Sequence, residues 1–136
     1  MNLDEKISFK EGVDCKEVFI LEPALFLILT NVMLYCRMHS LPCVITSIVK
    51  DREGIEETSE THREGRAFDM RVNNISDVHV QRIVFHVNQN FEKIGAISKE
   101  TGKSVAAYAK PHGTGPHIHF QVRPNAPFWE FVGFAD

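Results

Sequence analysis

Ala67-Phe68-Asp69-Met70-Arg71-Val72 alternates apolar and polar residues, and the alternation has a strand's period. Side chains along a strand point in turn to its two faces. This segment therefore sets Phe68, Met70 and Val72 on one side and Ala67, Asp69 and Arg71 on the other. Near the other end of the chain, His117-Ile118-His119-Phe120-Gln121-Val122-Arg123 divides in the same way. Ile118, Phe120 and Val122 share one face, and His117, His119, Gln121 and Arg123 share the opposite one. Each strand can anchor in a core by one side while offering polar, metal-capable groups on the other. If the two strands are neighbours, Asp69 and the His117/His119 pair converge on one point.

Upstream, Asp51 to Gly65 is polar and acidic and is expected to be a long surface loop, a feature often tied to function. His62 sits in it just before Gly65. Glycine permits a sharp turn, which lets His62 fold back over the strand end near Asp69. Before the loop, Leu41 to Val49 is rich in β-branched residues and predicts a strand. Pro23 suits the first turn of a helix, and the run to Met38 is apolar almost all round, which predicts a central helix. Residues 1–20 read as an irregular lead-in with at most a short strand.

After Val72, Ser76 is placed to cap a second helix with Asp77 near its positive end. Val80, Ile83, Val84, Val87 and Phe91 follow at helical spacing. Ile94 to Ser98 and Ser104 to Ala109 predict short strands around a turn at Thr101-Gly102, and a loop from Pro111 to Pro116 leads to the last strand. This order gives an α+β domain, a small and largely antiparallel sheet with helices packed against it. No repeat, low-complexity tract or linker divides the 136 residues, so one domain over 1–136 is expected.

Composition narrows the function classes. With 43% hydrophobic and 24% charged residues the chain is globular in type. A net charge of -3 gives no general field for nucleic acid. Pro23 to Cys36, the most apolar segment, falls short of the ~20 residues that a membrane helix needs. The N-terminus lacks a basic region leading into an apolar stretch, so no secretory signal is expected. Cys15, Cys36 and Cys43 form no C-x-x-C pair and are odd in number, which argues for reduced, mostly buried thiols.

Two imidazoles and one carboxylate, with a fourth position open to water, make the donor set of a catalytic zinc site. His62, Asp69 and the His117/His119 pair can supply it. Taken singly, an H-x-H pair on a strand is more often exposed or hydrogen-bonded, and a histidine seven residues from an aspartate is a weaker signal still. Their combination on matching strand faces, around a glycine turn, is what points to Zn2+. His39, His79 and His86 carry no such signal; the latter two fall in the second helix, where solvent-facing or capping roles are expected.

These residues also resemble a known group. Ile45-Thr46-Ser47, then His62…Gly65…Ala67…Asp69, then His117-Ile118-His119 is similar to the pattern of zinc metallopeptidases that include D-Ala-D-Ala dipeptidases and carboxypeptidases. The same group holds phage L-alanyl-D-glutamate endolysins, penicillin-insensitive murein endopeptidases, lysostaphin-like enzymes and the hedgehog signalling domain. The resemblance implies a hedgehog/D-Ala-D-Ala peptidase-like fold, zinc on His62, Asp69 and His119, and a peptidoglycan peptide as substrate.

Two positions depart from the pattern. Glu60 stands where the family has serine, flanked by Ser59 and Thr61. Pro116 stands where E-x-x-H members carry their catalytic acid, which leaves the H-x-H version of the mechanism. In that version His117 accepts a proton from the metal-bound water or steadies the oxyanion, and its alternative is a structural hydrogen bond. His112, in the Pro111 to Pro116 loop, can reach the rim and aid the transition state. Arg71, beside Asp69, can pair with a substrate carboxylate or hold an acid in place. Arg63, Arg66 and Lys50 read as solvated charges, and Phe128 and Trp129 as packing or a groove wall.

The expected function is therefore a peptidase for peptidoglycan peptides, of a size that fits a phage-borne lysis enzyme. It would be made in the host cytoplasm and act at the cell wall or within a virion, with neither nucleic acid nor membrane as partner. The rival is a binding or virion structural protein that keeps the fold and the metal without turnover.

Overall fold

A computed structural model of the protein describes residues 8–16, 21–48, 65–98, 101–110 and 115–126. Helix α1 spans Pro23–Met38, with the proline in its first turn, where no intrahelical partner is lost. Thr30 and Asn31 fit inside it because each side chain bonds back one turn, Thr30 Oγ1 to the Phe26 carbonyl and Asn31 Nδ2 to the Leu27 carbonyl, both 2.9 Å. Ala24, Leu25, Ile28, Leu29, Val32 and Cys36 are buried, whereas Leu34 and Met38 are 52% and 78% exposed. The helix thus lies on one side of the core and is not enclosed by it, although its sequence is apolar nearly all round. Ser40, at φ 54°, turns the chain out of it.

Helix α2 spans Asp77–Phe91 and buries Ile83, Val87 and Phe91, the stripe that the 3.6-residue period predicts. Ser76 precedes it in extended conformation but makes no side-chain cap bond. The two helices meet where α1 ends and α2 begins. The Tyr35 and His39 rings lie 4.4 Å apart, tilted by 39°, and the Tyr35 hydroxyl bonds His79 Nδ1 at 2.9 Å. His79 is therefore a packing residue of this junction and not a solvent-facing one. No helix among the described residues is long and apolar enough to cross a membrane.

The main sheet has five strands: β1 (Ser8–Phe9), β2 (Val44–Ser47), β3 (Ala67–Arg71), β6 (Ala107–Lys110) and β7 (His117–Gln121), in the order β1-β2-β3-β7-β6. All neighbours are antiparallel except β1 and β2, which run parallel. The expected antiparallel sheet is thus mixed, because the N-terminal lead-in supplies an edge strand. A second, two-stranded sheet pairs β4 (Ala96–Ile97) with β5 (Ser104–Val105). The single strand expected from Ser104 to Ala109 is split between the two sheets. Gly95 marks the reason for tight packing there: a Cβ on it would lie 2.6 Å from the Val105 carbonyl carbon and 2.7 Å from the Ala106 nitrogen.

One face of the main sheet carries Ile45, Phe68, Met70, Ile118 and Phe120 into the same apolar cluster as the buried faces of α1 and α2. The α+β class follows, and the arrangement leaves the polar faces of β3 and β7 on the side away from that cluster.

Candidate functional site

Strands β3 and β7 are direct neighbours in full antiparallel register, with Phe68 opposite Phe120, Asp69 opposite His119 and Arg71 opposite His117. Two forces hold that register. On the core side the Phe68 and Phe120 rings stack at 4.6 Å. At the strand ends the ladder continues, Val122 N donating to the Arg66 carbonyl and Val72 N to the Pro116 carbonyl. A slip of one residue would turn every apolar side chain outward, so burial of one face fixes what meets on the other.

Asp69 and His119 are 3% and 1% exposed, and Nδ1 of the imidazole lies 2.9 Å from Oδ1 of the carboxylate. The other ring nitrogen, Nε2, lies 3.1 Å from Oε1 of Gln121, whose amide nitrogen donates to the Val105 carbonyl at 3.0 Å. Tyr108, opposite His119 on β6, brings its ring to 4.9 Å from the imidazole. A bulge between Ile45 and Ser47 places Ser47, and not Thr46, opposite Asp69. The result is a polar line running from Asp69 through His119 and Gln121 on the main sheet to the Val105 carbonyl on the second.

His117 is half-buried two residues along the same face, and its Nδ1 lies 2.9 Å from the Gly115 carbonyl. A carbonyl can only accept, so Nδ1 carries the proton and Nε2 is the nitrogen with a free lone pair in the neutral ring. Arg71 is half-buried opposite it. Gly65, at φ 70°, makes the sharp turn into β3 that the sequence suggests. Arg66 does not behave as a solvated charge: it is 7% exposed, and its Nη1 donates to the Val122 carbonyl at 2.8 Å. His62 and His112 lie outside the described residues, as do Glu60, Arg63, Lys50, Phe128 and Trp129.

The fit of this site to zinc can be tested on its donor atoms. Tetrahedral zinc with ligand bonds of about 2.0–2.1 Å holds two donors about 3.3 Å apart. Asp69 Oδ1 and His119 Nδ1, at 2.9 Å, would need to open by only a few tenths of an ångström. Among the described residues no group of three histidine, cysteine, aspartate or glutamate side chains gathers for a metal ion. Asp69 and His119 supply two donors, and the third expected ligand, His62, is beyond the described segments. The oxygen–nitrogen donor chemistry fits zinc, and Gln121 supplies the outer hydrogen bond that ligating histidines almost always have.

The strand alternation sets Gln121 on the site face without pointing to a role for it, and no sequence pattern singles out Tyr108. Gln121 could have been found from its spacing two residues after His119 on one strand face. Tyr108 depends on which strand pairs with β7, and no local pattern specifies that. Compared with protein-family models, with curated proteins and with solved structures, the chain shows no match.

Proposed function

We propose that this chain is a zinc-dependent peptidase that hydrolyses amide bonds of peptidoglycan peptides, made in a host cytoplasm and acting at the bacterial wall as a phage-borne lysis enzyme. The observation that carries the reading is the buried meeting of Asp69 Oδ1 and His119 Nδ1 at 2.9 Å, on a sheet face that also presents His117 and Arg71. Burying a carboxylate against an imidazole is a costly way to build a strand pair, and structural needs alone would be met by apolar residues. His62, Asp69 and His119 would hold the metal. When bound, zinc supplies an acidified water and polarises the scissile carbonyl.

The chain's own groups then have distinct tasks. His117, anchored through Nδ1 to Gly115 on the same strand face, leaves Nε2 to take the proton of the attacking water. It can return that proton to the leaving amine. Arg71 presents a planar guanidinium that binds a substrate carboxylate in a two-point contact. His112 would steady negative charge that develops on the carbonyl oxygen.

Pro116, at the position of the acid in the sequences this chain resembles, favours a second reading, a wall-binding or virion component without turnover. Mass spectrometry of peptidoglycan incubated with the purified chain, with zinc and with chelator, separates the two. New free peptides that form only without chelator are expected, and their masses name the bond. Zinc-loaded protein that leaves walls of several chemotypes uncut would refute the peptidase reading and support the second.

A further inference from the structure

We propose that Gln121 is a positioning residue for the metal ligand His119, its buried amide holding a proton on Nε2 so that Nδ1, beside Asp69, is the ring nitrogen that a metal ion would take. This rests on the metal reading above and extends it to a residue outside the expected ligand set.

One chain of contacts orients both groups. The Val105 carbonyl can only accept a hydrogen bond, so the group 3.0 Å from it on Gln121 is the amide NH2. That fixes the orientation of the amide and turns its carbonyl oxygen toward His119, 3.1 Å from Nε2. A carbonyl oxygen again only accepts, so Nε2 must carry a proton. Asp69 Oδ1 also only accepts, so without a metal a second ring proton lies on Nδ1 and is donated to it at 2.9 Å. A metal ion bound there would take the place of that proton, while Gln121 keeps the one on Nε2. A flipped amide would set two acceptors against each other at Val105, in a place from which water is largely excluded, since Gln121 is 7% exposed.

The anchor of this relay is itself held. Val105 is followed by Ala106 and Ala107, whose backbone N–H groups both donate to Asn88 Oδ1 on α2 at 2.9 Å. Asn88 Nδ2 donates back to the Ala107 carbonyl at 2.8 Å. Gln121 N also donates to the Ala106 carbonyl. Both the side chain and the backbone of Gln121 are thus tied to one rigid junction between the two sheets, so the imidazole it orients has little freedom to rotate.

The test uses the full chain and Zn2+, with affinity measured by competition against a chromogenic chelator. Gln121→Leu keeps the bulk and removes both polar atoms; Gln121→Glu keeps an acceptor for Nε2–H but loses the donor to the Val105 carbonyl. The expected result is a loss of zinc affinity by about ten- to a hundredfold in the leucine variant, with a smaller loss in the glutamate variant. Nitrogen-15 spectra of the zinc-loaded wild type should show His119 protonated at Nε2 and unprotonated at Nδ1, a signature that a merely structural glutamine would not set. Should the leucine variant fail to fold, the glutamate variant and the wild-type spectra decide. Wild-type protein that takes up no zinc refutes the metal site, and the role of Gln121 with it. Zinc bound through His119 Nε2, or a folded leucine variant within about twofold of wild type, refutes the role of Gln121 alone.

Discussion

Phe68 and Phe120 sit opposite each other on β3 and β7, stacked at 4.6 Å with their planes 21° apart, and both are essentially excluded from solvent at 1% and 0%. They are the apolar backing of the Asp69–His119 pair, one residue away on each strand. Truncating either to alanine removes a buried ring and leaves a cavity that close strand pairing cannot easily collapse, at a cost of about 3–5 kcal/mol. For 136 residues at about 2.1 cal/mol/K each, the unfolding entropy is about 0.3 kcal/mol/K, so Tm should fall by about 10–17 °C. Stability of a chain this long is about 7–20 kcal/mol, so each variant should still fold. Because the rings contact each other, the double variant should cost less than the two singles together, by about 0.5–1.5 kcal/mol for the aromatic contact. Urea unfolding followed by circular dichroism in the absence of metal measures all four states. Single losses under about 1.5 kcal/mol, or strictly additive singles, would refute the claim that this pair holds the two strands in register.

Three further outcomes are expected. Gly95→Ala should destabilise the junction of the two sheets by about 1–3 kcal/mol, because its Cβ meets backbone that cannot move aside; an unchanged urea midpoint would show that the β5 backbone yields. Asn88→Ala leaves two N–H groups and one carbonyl of Ala106 and Ala107 without their side-chain partner and should cost about 2–4 kcal/mol, with faster amide exchange at both N–H groups as the direct readout. Of the three thiols, only exposed Cys15 should react rapidly with a disulfide reagent, since Cys36 and Cys43 are buried. A hydrogen bond with Cys36, and then burial, push the Cys43 thiol far above its ordinary range. The same hydrogen bond lowers the Cys36 thiol, so the two contributions to stability at alkaline pH have opposite signs. Two or three fast thiols in native protein would contradict the packing described.

Local pattern carried much of this fold. Pro23 and Met38 bound α1 as the helix rules predict, and the helical stripe of α2 fell on its buried residues. The alternation in Ala67 to Val72 and His117 to Arg123 put Phe68, Met70, Ile118 and Phe120 into the core. Where local pattern misled, a distant partner intervened. Leu34 and Met38 are apolar yet exposed, since hydrophobicity says that a face can be buried and not that something covers it. Arg66 looks solvated in sequence, yet it is buried because a carbonyl 56 residues away accepts its hydrogen bond.

The amino-acid sequence by itself determined which side chains share a face, because the strand period of two is a covalent property of the extended backbone. It therefore specified that Asp69 stands with Arg71, and His119 with His117 and Gln121. Only the tertiary structure decided that β3 and β7 are neighbours, that their register sets Asp69 against His119, and that β5 and β6 bring the Val105 carbonyl and Tyr108 to the same site. Pairing and register are settled by burial of the whole apolar face at once, a quantity summed over residues far apart in the chain and invisible in any one stretch of it.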